Sequence, residues 1–115
     1  MWTISIHLGL SPVERASHVR ELTELCTALP PAPIVVGGDL NASPGEPAPA
    51  WLAARFRDAW TTVGVGDGAT FPSWSPAARI DYVFATRDLA SESAFVGRSL
   101  ASDHLPLAVE ITLEG

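Results

Sequence analysis

Ala101-Ser102-Asp103-His104-Leu105-Pro106-Leu107, near the end of the chain, sets an acid beside a histidine and leads into an apolar alternation. Neighbouring residues can serve one site at the mouth of a strand, where the turn sends one side chain toward substrate and the other toward an ion. Two earlier stretches share this layout. Gly37-Gly38-Asp39-Leu40-Asn41 follows an apolar run, and Arg79-Ile80-Asp81-Tyr82-Val83-Phe84 opens one. His7 closes a fourth apolar segment, Trp2 to Ile6. Four strand-like segments therefore carry polar groups at an end, where catalytic side chains are best held on a rigid scaffold.

Composition bounds the possibilities. A chain of 115 residues makes one domain at most, and its 47% hydrophobic content suits a packed core rather than disorder. No apolar run approaches the roughly 20 residues of a membrane helix. Met1 leads straight into a strand pattern with no basic leader, so no secretory signal is visible and the cytoplasm is the default expectation. The single cysteine, Cys26, excludes an internal disulfide and a cysteine-pair zinc site. All seven basic residues are arginine, which removes Schiff-base chemistry and the lysine-dependent phosphate loop. The net charge of −6 is the wrong sign for holding nucleic acid on a basic face. A bound divalent cation would reverse that sign locally.

Residues 2–6 alternate, with Trp2, Ile4 and Ile6 on one side, and predict a two-faced strand. Ser11-Pro12-Val13-Glu14 reads as a helix start with a capping box. Val13, Ala16, Val19, Leu22, Leu25, Cys26 and Leu29 recur at helical spacing, so a helix over 11–29 buries that stripe and ends before Pro30-Pro31. His18 and Arg20 fall off the stripe and are expected in solvent. Ile34-Val35-Val36 is a short buried strand, and Gly37-Gly38 allows a close backbone approach at its end. Residues 42–50 read as loop. A short helix is expected around Trp51 to Arg55, with a weaker extension toward Trp60. Residues 64–78 form a long loop whose two aromatics suggest that it folds over something. Strands are expected at 80–85, near 93–97, and at 106–113, where Leu107, Val109, Ile111 and Leu113 alternate with Ala108, Glu110 and Thr112.

Gly-Asp-Leu-Asn at 38–41, Arg-Ile-Asp-Tyr-Val-Phe at 79–84 and Ser-Asp-His-Leu-Pro-Leu at 102–107, in that order after a strand ending in His7, resemble the endonuclease/exonuclease/phosphatase superfamily. Thr70-Phe71-Pro72-Ser73 stands where many members carry a similar loop. The resemblance covers nearly the whole chain but only the C-terminal half of the family fold. That fold is α+β: a four-layer α/β/β/α sandwich with two mixed sheets face to face and helices outside. The expectation is a single partial domain over residues 1–115, with a mostly antiparallel mixed sheet and one covering helix. The family's N-terminal half supplies an asparagine and a glutamate that bind the catalytic magnesium, and nothing in residues 1–6 replaces them.

The activity implied is metal-dependent hydrolysis of a phosphoester, with magnesium as the cofactor and manganese as the alternative. By resemblance, Asp39 orients or deprotonates the attacking water and Asn41 donates its amide to a phosphate oxygen. His104 binds the scissile phosphate with its tautomer fixed by Asp81, and His7 is a second phosphate contact. Asp103 is a metal ligand, directly or through water.

Each residue also has a plainer reading. Asp39 and Asn41 suit a turn after a strand. His104 could cap a loop, and His7 could simply end a strand. Asp81 could pair with Arg79, which itself suits either an ion pair or an anion contact. Two function classes follow: a phosphoesterase or part of one, or a non-catalytic half-domain that works only in an assembly. Whether the substrate is a small phosphoester or nucleic acid is open, with the acidic charge leaning toward the former. A sheet with one covering helix leaves a face open, so the expected partner is a second copy or a separate N-terminal half.

Overall fold

The computed structural model describes residues 1–113. Its main sheet has the strand order β1-β2-β4-β3, made from β1 (Trp2–His7), β2 (Ile34–Asp39), β4 (Asp81–Ala85) and the two-residue β3 (Arg57–Asp58). β1 and β2 are parallel, and β2–β4 and β4–β3 are antiparallel. A parallel neighbour needs a crossover, and α1 (Pro12–Ala28) supplies it between β1 and β2. α2 (Pro47–Arg55) and the single-turn α3 (Ala59–Val63) flank β3. A separate two-stranded sheet pairs β5 (Leu89–Val96) with β6 (Leu107–Leu113). The fold class is α+β with a mixed sheet, as the sequence implied.

α1 starts as its sequence requires. The Ser11 hydroxyl accepts the Glu14 N–H at 3.2 Å, and Pro12 occupies the first turn, where its missing N–H costs nothing. One core forms between α1, α2 and a single face of the main sheet. It joins Val19 and Leu22 of α1, Ala48 and Leu52 of α2, Ile34 and Val36 of β2, and Tyr82 and Phe84 of β4, with Ile4, Ile6 and Cys26 packed against it. Burial raises the Cys26 thiol above its ordinary pKa, in keeping with a core role.

The opposite face of the sheet carries Thr3, Ser5, Val35, Gly37 and Val83, which with Leu105 and Leu107 line an open groove of about 480 Å³. Among the described residues no helix is long and apolar enough to cross a membrane.

Several local expectations change. The buried face of α1 is Arg15, Val19 and Leu22, whereas Val13 and Leu25 are exposed. Arg15 can go inside because its guanidinium donates to the carbonyls of Gly9 and Leu10 and faces Glu46 at 3.5 Å. His18 is half-buried, and its Nδ1 accepts the Gly9 N–H. α2 begins at Pro47 inside the segment read as loop, because Pro47 falls in the first helical turn. The segment after Arg55 breaks into β3 and α3 instead of extending the helix. The last strand does not join the main sheet; it pairs with β5, which starts at Leu89 rather than near 93.

Candidate active site

Sheet register does most of the positioning. His7, Asp39 and Asp81 are partners in one row across β1, β2 and β4. They therefore share one edge of the sheet before any side chain is placed. β2 reaches that row through Gly38, whose φ is 146° and whose missing Cβ would collide with the Ile6 carbonyl oxygen. Only glycine fits there. Gly37 has ordinary clearance, so one of the pair meets the close approach.

Just past β2, Asn41 turns the chain at a left-handed φ of 49°, a conformation asparagine tolerates. Its N–H donates to Asp39 Oδ1 at 2.8 Å, and its side-chain Nδ2 donates to the Leu8 carbonyl at 2.7 Å. Asn41 thus ties the end of β1 to the end of β2. An amide carries two hydrogens, so one is left for a ligand.

His104 arrives from the loop between β5 and β6. Its Nδ1 lies 2.6 Å from Asp81 Oδ2, and its Nε2 lies 3.6 Å from Asp39 Oδ2. His7 Nε2 stands 3.6 Å from that same Asp39 oxygen. Asp39 Oδ2 is therefore flanked by two imidazoles, neither close enough for a hydrogen bond. Asp39 Oδ1 is already taken by Asn41. The exposure of the site is graded: the His7 side chain is 75% exposed, His104 25% and Asp39 16%.

Burial alone would push the His104 imidazole down. Its hydrogen bond to Asp81 and the charges of Asp81, Asp39 and Asp103 outweigh that, and its pKa stands above the ordinary histidine value. With Nδ1–H directed at Asp81, the proton that comes and goes is the one on Nε2, which faces the opening between Asp39 and His7.

The structure brings together Asp39, Asn41, Asp81, His104 and His7. Asp103 is next to His104 in the chain and its charge acts on that imidazole, while its own carboxylate is exposed and accepts the Ser102 hydroxyl at 3.4 Å. Ligand atoms of Asp39, Asp81 and His104 lie within 4.8 Å of one another. Asp81 Oδ2 already receives two donors, His104 Nδ1 and the Thr70 hydroxyl. The free oxygen of Asp39 and the exposed carboxylate of Asp103 are therefore the donors that suit a hard cation, which needs only one or two carboxylates alongside waters and substrate oxygens.

Residues 5–104 match the endonuclease/exonuclease/phosphatase family. The chain belongs to that family. No curated protein matches the sequence. Among solved structures, a conserved protein of unknown function from Enterococcus faecalis is 25% identical with a TM-score of 0.83, over 97% of this chain and 50% of that one. A mannosyl-6-phosphatase from Bacteroides thetaiotaomicron is 19% identical with a TM-score of 0.72, over 96% of this chain and 51% of that one. The human nocturnin catalytic domain, solved with a bound sulfate anion, is 20% identical with a TM-score of 0.70, over 95% of this chain and 46% of that one. The chain spans about half the length of these structures.

Sequence reasoning missed two features of the site. The first is Thr70, fully buried, whose hydroxyl donates to Asp81 Oδ2 at 2.6 Å. The only signal was its place in the Thr70-Phe71-Pro72-Ser73 loop. The second is the partner of Arg79, which is Asp58 and not Asp81: Nη2 lies 2.6 and 2.7 Å from the two Asp58 oxygens. That bond spans 21 positions, and no local pattern announces it.

Proposed function

We propose that this site hydrolyses a phosphoester, with Asp39 and His104 in the central roles. The observation that carries the reading is a single carboxylate oxygen, Asp39 Oδ2, placed 3.6 Å from the Nε2 atoms of both His104 and His7. A phosphoryl group seated there would offer its anionic oxygens to His104 and His7. The raised pKa of His104 favours the protonated ring, a charge-assisted donor to such an oxygen. Asp81 holds that ring from behind. Asp39, with one oxygen fixed by Asn41 and the other open, is placed to orient the attacking water and accept its proton. The remaining Asn41 amide hydrogen is a third donor.

The cofactor in this reading is magnesium, with manganese as the alternative. When bound it neutralises charge on the phosphoryl oxygens, and Asp39 and Asp103 are the residues that would hold it. With only these two carboxylates the chain alone should bind it weakly.

The test is turnover of bis(p-nitrophenyl) phosphate and p-nitrophenyl phosphate with and without magnesium. Cation-dependent hydrolysis that falls by about 10²–10⁴-fold in His104→Ala supports the reading. Hydrolysis unchanged by that substitution defeats it.

A second reading has its own observation. The groove over Thr3, Ser5, Val35, Gly37 and Val83 leaves one sheet face uncovered, and matching structures are about twice as long. On this reading the chain is a half-domain whose site is completed only when a second layer covers that face. The layer we favour is the family's N-terminal half, with a second copy as the alternative. A well-folded, monodisperse monomer by light scattering that hydrolyses substrate would dismiss this reading.

A further inference from the structure

Asp81 Oδ2 accepts two hydrogen bonds of equal length, 2.6 Å from His104 Nδ1 and 2.6 Å from the Thr70 hydroxyl. One bond does not fix the plane of an aspartate carboxylate, because its terminal torsion is broad. Two donors on one oxygen, arriving from different loops, do.

Thr70 is also bound to the segment that carries His104. Its carbonyl accepts the Leu105 N–H at 2.8 Å, and three residues on the Ser73 N–H donates to the Asp103 carbonyl at 2.7 Å. These two bonds bracket His104. The Phe71 ring lies between them in sequence and sits 4.9 Å from the imidazole. The loop itself is anchored, since the Thr70 N–H donates to the Ala78 carbonyl at 2.9 Å. Thr70 thus touches both halves of the acid–histidine pair, the acid through its hydroxyl and the histidine segment through its backbone. It is fully buried, so no water competes for that hydroxyl.

We infer that Thr70 is the positioning residue that locks His104 into the Nδ1–H tautomer, by fixing Asp81 Oδ2 in line with Nδ1. It touches no substrate. Its consequence for turnover rests on the phosphoesterase reading, because a proton kept on Nδ1 by Asp81 makes Nε2 the nitrogen that takes up the second proton and donates it toward the phosphoryl position. The tautomer itself does not rest on that reading.

The experiment measures ¹⁵N chemical shifts of the His104 ring, at a pH high enough to leave it neutral, in the unaltered protein, Thr70→Val and Thr70→Ser. Valine keeps the shape and the backbone bonds and removes the donor; serine restores the donor. The expected result is a single Nδ1–H tautomer in the unaltered protein and in Thr70→Ser. In Thr70→Val the single form is lost, and the Nε2–H form favoured by free imidazole becomes substantial. A single Nδ1–H tautomer in a folded Thr70→Val overturns the inference whether or not the protein is catalytic. If Thr70→Val does not fold, the Thr70 hydroxyl proton of the unaltered protein decides. A slowly exchanging hydroxyl signal supports the inference, and a hydroxyl in fast exchange with solvent overturns it. If turnover is measurable, Thr70→Val lowers kcat with little change in KM.

Discussion

Two polar clusters meet at β4, one around Asp58 and Arg79 and one around Asp39, Asp81 and His104, and they are built for opposite ends. Asp58 and Arg79 are each 8% exposed, and the guanidinium reaches both carboxylate oxygens at 2.6 and 2.7 Å. Asp58 also caps α3 by accepting the Trp60 N–H, and its backbone carbonyl takes the hydroxyls of Thr61 and Thr62. Arg79 lies over the Tyr82 ring at 4.7 Å, and the Tyr82 hydroxyl bonds the carbonyls of Ala42 and Arg79. Burial pushes the Tyr82 phenol far up, so it stays protonated as a structural donor. Asp39 and Asp81 differ in kind. They are half-buried, their partners are neutral or titratable groups, and one Asp39 oxygen has the Nε2 atoms of His7 and His104 at 3.6 Å, beyond hydrogen-bond distance. A fully satisfied buried pair holds a loop in place. A partly satisfied one at a strand end is open to a ligand. Polar residue type alone does not separate the two; the count of engaged oxygens does.

Removing a member of the buried pair should have the largest effect. Asp58→Ala leaves the Arg79 charge without its partner and should cost about 3–5 kcal/mol of stability, read as a shift of the urea midpoint at unchanged slope. A loss under about 1 kcal/mol would mean that the pair does not fix the chain entering β4.

Asp39→Asn is the matched experiment on the open side. Stability should move by less than about 1 kcal/mol, while cation-dependent phosphodiester hydrolysis falls by about 10²–10⁴-fold. An Asp39 change that unfolds the protein would place it with Asp58.

A smaller effect sharpens the contrast through pH. His104 holds its proton more tightly in the folded chain than in the unfolded one. Its extra stabilisation is therefore fully present below the ordinary histidine value of about 6.5 and is lost as pH rises through the higher folded value. The stability difference between the unaltered protein and His104→Gln should shrink across that window. A difference that is flat with pH would contradict the Asp81–His104 bond.

Much of this site was legible because strand ends are local features. Asp39, Asp81 and His104 each sit at the end of an apolar run, and sheet register then sets His7, Asp39 and Asp81 side by side. The helix 12–28 was legible from Ser11, Pro12 and its apolar spacing. Which face it buries was not, because Arg15 goes inside on the strength of carbonyls and a glutamate that the local pattern does not reveal. α2 was hidden by Pro47 and Pro49, which look like loop until placed in a first turn. The alternation of Leu107 to Leu113 announced a strand but not its partner, since a period of two carries no information about which strand lies alongside. Thr70 and the Asp58–Arg79 pair were silent for the same reason: their bonds join segments distant in sequence.

The most direct test of the central claim uses the three histidines as reporters. His7 and His104 flank Asp39, whereas the Nδ1 of His18 is engaged by the Gly9 N–H. Side-chain NMR signals of all three are followed while phenyl phosphate is added in the presence of magnesium. The account predicts saturable shifts at His7 and His104 and little change at His18. Silence at His104, or equal shifts at all three histidines, would contradict a phosphoryl site at the converging strand ends.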